Sequence, residues 1–152
     1  MFEPEEAGQY NGTLTILSND PLHGELNVEL TGLGITAATV PLTLNWNLIS
    51  INVSPPQEFY HEGEDRGADV IRMMEQLRIN EENHHVLLMK NEDGRFYLPA
   101  FDFNNIPYWE LTEGYQVKVD EDVEAVWAGD RIPADTDIPL ERDWNMIAYF
   151  PT

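Results

Sequence analysis

Apolar and polar residues alternate with period two along most of this chain, which predicts strands. Thr13, Thr15 and Leu17 alternate with Leu14, Ile16 and Ser18. Ser18-Asn19-Asp20-Pro21 then supplies turn-forming residues. A second run sets Leu26, Val28 and Leu30 on one face, with Asn27 and Glu29 on the other, and Gly32 and Gly34 close it. Residues 10–34 therefore read as a β-hairpin, which cannot bury a core alone and must dock on something else. Residues 35–40 read as a connector. Leu42 to Val53 reads as an apolar strand closed by Pro55-Pro56. The one good helical period, at Val70, Ile71, Met74 and Leu77, predicts a short α-helix around 64–79. Val86 to Met89 reads as a buried strand, and Asp93-Gly94 before Phe96 as a hairpin turn. Tyr115 to Val119 and Ala125 to Trp127 alternate as strands, Gly129-Asp130 reads as a turn, and Trp144 to Phe150 as a last strand. The sum is a mainly β fold, a β-sandwich or barrel-like body, in two parts: a partial hairpin unit over 1–36 and a β-rich module over 41–152.

An internal echo reinforces this division. Pro41-Leu42 and Trp46-Asn47-Leu48-Ile49 recur at one shared offset as Pro139-Leu140 and Trp144-Asn145-Met146-Ile147. So long a spacing is no solenoid period. It predicts two equivalent strands that open and close one domain and lie close together, with Trp46 and Trp144 in the core.

Charge narrows the partners. The 152 residues carry a formal net charge of −20, so nucleic acid and anionic membrane surfaces are repelled. The 42% apolar content is enough to fill a core. With no cysteine there are no disulfides, thiolate nucleophiles or Cys-ligated zinc. No run approaches the roughly 18 apolar residues of a membrane span, so membrane insertion is not expected. The acidic start, Glu3-Pro4-Glu5-Glu6, is the reverse of a signal-peptide opening; an export signal is expected upstream of it.

Two stretches resemble known families. Gly8-Gln9-Tyr10-Asn11-Gly12-Thr13-Leu14-Thr15-Ile16, Ser18-Asn19-Asp20-Pro21 and Val28-Glu29-Leu30-Thr31-Gly32-Leu33-Gly34 resemble the final strands of an abnormal-spindle/hydin-type immunoglobulin-like repeat of choice-of-anchor proteins. The likeness covers about residues 2–35. Residues 41–152 are similar to a C-terminal unit of large exported bacterial proteins, on Leu44 to Ser50, Gly94 to Pro99, Gly114 to Val119 and Trp144 to Tyr149. These resemblances imply an extracellular or cell-surface β-module and bring no functional residue with them.

Candidate chemistry is sparse. His84-His85 is the most site-like pair, with His61, Glu62 and Glu64 as possible co-ligands, but neighbours on a strand face opposite ways. His23 is expected in the exposed hairpin turn. Asp130, Asp135 and Asp137 are the best candidates for calcium (Ca2+), the one cofactor the sequence suggests, although no run matches an EF-hand loop. Tyr108 and Trp109, beside Asn104 and Asn105, are the candidate platform for a polysaccharide, since aromatic rings stack on sugars. There is no Gly-x-Ser-x-Gly elbow, His-Glu-x-x-His helix or phosphate-cradling loop. The expectation is a non-enzymatic structural or interaction module. Its partners would be neighbouring domains or another copy, met through the 10–34 hairpin. Alternatives are a carbohydrate-binding module and, behind it, a carboxylate-dependent hydrolase.

Overall fold

The computed structural model describes residues 8–19, 24–61 and 66–151. The chain divides into two compact units, Met1–Thr36 and Ala37–Thr152. In the first, β1 (Gly8–Leu17) pairs antiparallel with β2 (Glu25–Gly34), with Leu14 opposite Val28 and Ile16 opposite Leu26. The hairpin expected over 10–34 is therefore present; its turn at 20–23, with His23, lies outside the described residues. One face carries Leu14, Ile16, Leu26, Val28 and Leu30, all exposed. The other face is mostly polar, with exposed Leu17 and Leu33 toward its two ends: Thr15 Oγ1 donates to Asn27 Oδ1 at 2.6 Å, and Asn27 Nδ2 to Glu25 Oε1 at 2.9 Å.

The second unit contains β3 (Thr36–Leu42), β4 (Asn45–Ile49), β5 (Val53–Ser54), α1 (Val70–Met74), β6 (Val86–Lys90), β7 (Phe96–Leu98), β8 (Phe103–Asn104), β9 (Tyr115–Val119) and β10 (Val123–Arg131). Two sheets form, ordered β3-β10-β5 and β4-β9-β6-β7-β8. Both feed one core, in which Leu42, Val53, Ala125 and Trp127 of the first meet Val86, Met89, Tyr97, Tyr115, Val117 and Val119 of the second. The protein is thus mainly β and sandwich-like, with one short helix. Strand β9 shows the cause directly: Tyr115, Val117 and Val119 point inward while Gln116 and Lys118 point out.

The helix expected around 64–79 occupies Val70–Met74 and continues as a 3-10 turn over Glu75–Leu77. Asp69 starts it, its Oδ1 accepting from the Arg72 backbone N–H at 2.8 Å, as N-cap carboxylates do. Val70, Met73, Met74 and Leu77 are its buried face. Trp127 Nε1 donates to the Met73 carbonyl at 2.9 Å and ties β10 to the helix. No helix among the described residues is long and apolar enough to cross a membrane.

Four local expectations are corrected. Residues 36–40 are not a connector but most of β3, because Ala38 turns inward to the core. The Leu42–Val53 stretch breaks into β3, β4 and β5, since Asn45 at φ 79° turns the chain between the first two. Gly129-Asp130 does not turn; it lies within β10, with Asp130 opposite Ser54. Finally, 144–150 is no regular strand: its ladder pairing is a single bridge, Ile147 to Glu113.

Candidate functional site

The proposed sugar platform is overturned by burial. Trp109 is 1% exposed. Its ring lies 4.7 Å from that of Tyr115 and 5.6 Å from that of Trp127. Its backbone N–H donates to the Ala68 carbonyl at 2.7 Å, which draws it into the core. Tyr108 is half-buried and crowds Gly67, where an added Cβ would stand 2.6 Å from its ring. The two asparagines serve the backbone. Asn104 Oδ1 accepts from Ile106 N at 3.0 Å, and Asn105 Oδ1 from Phe96 N at 2.6 Å.

Trp46 and Trp144 also reverse their expected places. Trp46 is 49% exposed and Trp144 is 97% exposed. In β4 the odd positions face inward, ending at buried Ile49, so Trp46 faces out opposite Lys118. Lys90 and Lys118 carry their ammonium groups 5.6 and 6.0 Å from the Trp46 ring centre, within cation–π reach. Trp144 comes after Asp143, whose φ of 80° sets it on a turn rather than in a strand. The two Trp-Asn segments do approach one another. Ile147 O and Leu48 Cδ1 both flank Gly114, and Tyr149 N donates to Ser50 Oγ at 3.1 Å.

The acidic calcium candidates do not converge. Asp130 is an exposed strand residue, Asp135 sits in the turn closed by Thr136 N–H donating to Pro133 O at 3.1 Å, and Asp137 is exposed. Among the described residues, no three His, Asp or Glu side chains are grouped to hold a metal ion. His61 Nε2 meets Asp69 Oδ2 at 2.5 Å; Glu62 and Glu64 lie outside the described residues. His85 Nδ1 contacts Asp120 Oδ1 at 2.9 Å and Glu121 Oε1 at 3.3 Å. His84 turns inward instead, its Nδ1 accepting from Val86 N–H at 2.9 Å. Burial pushes its pKa down to about 4, with the Arg78 charge adding to the effect. The ring is neutral at neutral pH, and its Nε2, against the Met74 carbonyl, completes no hydrogen bond.

A site that the sequence did not disclose is a cavity of about 310 Å³ walled by Glu92, Glu110, Glu113 and Glu141, with Thr112, Asn145 and Met146. Glu92 Oε2 accepts from Met146 N–H at 2.8 Å, and Thr112 Oγ1 donates to Glu110 Oε1 at 3.2 Å. Burial, then the charges of Glu92 and Glu110, push the Glu113 carboxyl up to about 7. Four glutamates from three separated segments line it, so no local motif marks the place. The unfavourable charge of the cavity falls on Glu113.

Glu113 and His84 have opposite consequences for acid stability. Unfolded Glu113 ionises above about pH 4.5 and native Glu113 only above about 7. Its cost to the native state is therefore full above pH 7 and fades as pH falls toward 4.5. His84, native pKa about 4 against 6.5 unfolded, costs stability as pH falls between those values. Glu113→Gln is expected to raise the melting temperature by a few degrees at pH 8 and to leave it unchanged at pH 4. Thermal scans of both proteins at the two pH values check this, because His84 is common to both. An equal gain at the two values would show that Glu113 carries no extra charge cost in the fold.

Compared with known proteins, the chain matches no family model, no curated protein and no solved structure.

Proposed function

We propose that the chain is a non-catalytic structural and interaction module, joining sheet-built domains of a larger exported bacterial protein. The observation that carries this reading is the bare apolar face of the β1–β2 hairpin. Five aliphatic side chains lie on it in cross-strand register, all exposed. A two-stranded sheet is marginal in water, and a contiguous apolar patch marks a contact surface. On the opposite face Thr15, Asn27 and Glu25 bond to one another, so the face with five aliphatic side chains is the one that docks. The partner it fits is the apolar face of a neighbouring sheet, with strand addition at the hairpin's outer edges as the accompanying contact. The resemblance of residues 2–35 to the last strands of an immunoglobulin-like repeat supports the same reading, that of a module working outside the cell.

In the isolated protein a second copy substitutes for that neighbour. Light scattering after size exclusion is expected to show a mass rising with concentration above the 17.4 kDa of one chain. Leu14→Lys with Val28→Lys should weaken that association about tenfold or more, since charge must then be desolvated. A wild type that stays monomeric at every concentration, with no binding of an apolar dye, would remove the basis for this function.

A further inference from the structure

The echo in the sequence is also an echo in three dimensions. Asn47 Oδ1 accepts from the Thr43 backbone N–H at 2.9 Å, and its Nδ2 donates to the carbonyls of Thr43 and Asn45 at 2.8 and 3.1 Å. Asn145 repeats this: Oδ1 accepts from Glu141 N–H at 2.8 Å, and Nδ2 donates to the carbonyls of Glu141 and Asp143 at 3.0 and 3.4 Å. Asn45 and Asp143 hold the same left-handed conformation, at φ 79° and 80°. One turn has been built twice, each time aiming a Trp-Asn segment into extended chain.

Beyond the turn the two copies part. After the first, β4 pairs along β9 from Asn45–Val119 to Ile49–Tyr115, and Leu42, Ile49 and Ile51 are buried. After the second, the corresponding positions are Leu140 at 70% exposure, Ile147 at 52% and Tyr149 at 74%. The intervening residues Ala148 and Phe150 are buried instead, against Ile132. So the second segment has one face seated in its own unit. The face that is core in the first copy stands bare.

We propose that residues 139–151 are an interaction surface for a second sheet unit of the same build, one with no first strand of its own. That unit would take Trp144–Tyr149 as its opening strand, where β4 and its flanks sit on β9. Leu140 and Ile147 would fill the places of Leu42 and Ile49, residue for residue, with Tyr149 where Ile51 stands. The segment becomes a wall shared by two bodies. This surface is separate from the hairpin face and does not depend on it.

The test is the full chain extended at its C-terminus by a second copy of residues 55–138, which supplies the helix and β6 to β10 and leaves the places of β3, β4 and β5 to the chain before it. The appended segment is expected to fold with its own cooperative thermal transition. The amides of Trp144, Ile147 and Tyr149 should gain protection from hydrogen exchange of about a hundredfold or more. Ile147→Asp in the same extended chain should abolish that transition and leave the original unit folded. The proposal is overturned if the appended copy stays unfolded with Trp144 in water, or if it folds equally well with Ile147→Asp. The hairpin reading is tested apart, because Leu14→Lys with Val28→Lys is expected to change none of these outcomes.

Discussion

Trp109→Ala is expected to cost about 3–5 kcal/mol, the range for deleting a buried aromatic side chain, and to unfold much of the protein near physiological temperature. The ring sits between Tyr115 and Trp127 in a core fed by both sheets, so its removal leaves a cavity that the surrounding strands cannot close. A denaturant titration of wild type and variant reads the loss. Trp109→Phe separates packing from polarity. Trp109 Nε1 is buried without a hydrogen-bond partner, whereas Trp127 Nε1 donates to Met73 O. An orphaned buried donor already carries a desolvation cost of about 1–3 kcal/mol. Trp109→Phe relieves that cost while shrinking the ring; Trp127→Phe loses a made bond and leaves the Met73 carbonyl without it. Trp109→Phe should therefore be the milder of the two. The reverse order would mean that Trp109 Nε1 has found a partner, such as a buried water.

Gly129→Ala is expected to cost about 3 kcal/mol for a single added methyl. A Cβ there would stand 2.0 Å from Ser54 O and 2.7 Å from Ser54 C. Both obstacles are backbone, so no rotamer change relieves them. Relief requires β10 and β5 to part, which breaks the Asp130–Ser54 and Arg131–Val53 pairing. Gly12→Ala is the matched control, since nothing lies within 4 Å of its added methyl. Thermal scans should show a drop of many degrees for the first and little for the second. Equal melting temperatures would show that β5 does not approach β10 as closely as described.

Much of the fold was legible because period two is a direct print of pleat on sequence. Strands β1, β2, β6 and β9 and the Asp93-Gly94 hairpin all follow from it. What escaped was whatever depends on phase or on distant partners. Asn45 and Asp143 take left-handed turns that reset which side chains face inward, so apolar character alone misplaced Trp46 and Trp144. Gly129 carries a turn-like signature, yet its lack of a side chain serves close strand approach. Strand β3 begins with small residues, Thr36-Ala37-Ala38-Thr39, that carry little strand signal, and becomes a strand because β10, distant in sequence, lies beside it. The acidic cavity assembles Glu92, Glu110, Glu113 and Glu141 from three stretches, and no local pattern can announce such a meeting. Trp109 was misread for a related reason: its neighbours Asn104 and Asn105 look like surface residues, but both are spent on the backbone.

The pairing of lysines with Trp46 has a chemical corollary. Lys90 and Lys118 are the only lysines in the chain, and both stand over one indole. Apart from the N-terminal amine, every acylating dye, biotin ester or amine-coupled support must attach there. Such conjugation strips both cations from that ring and leaves a more strongly acidic molecule tethered by a single side of its larger sheet.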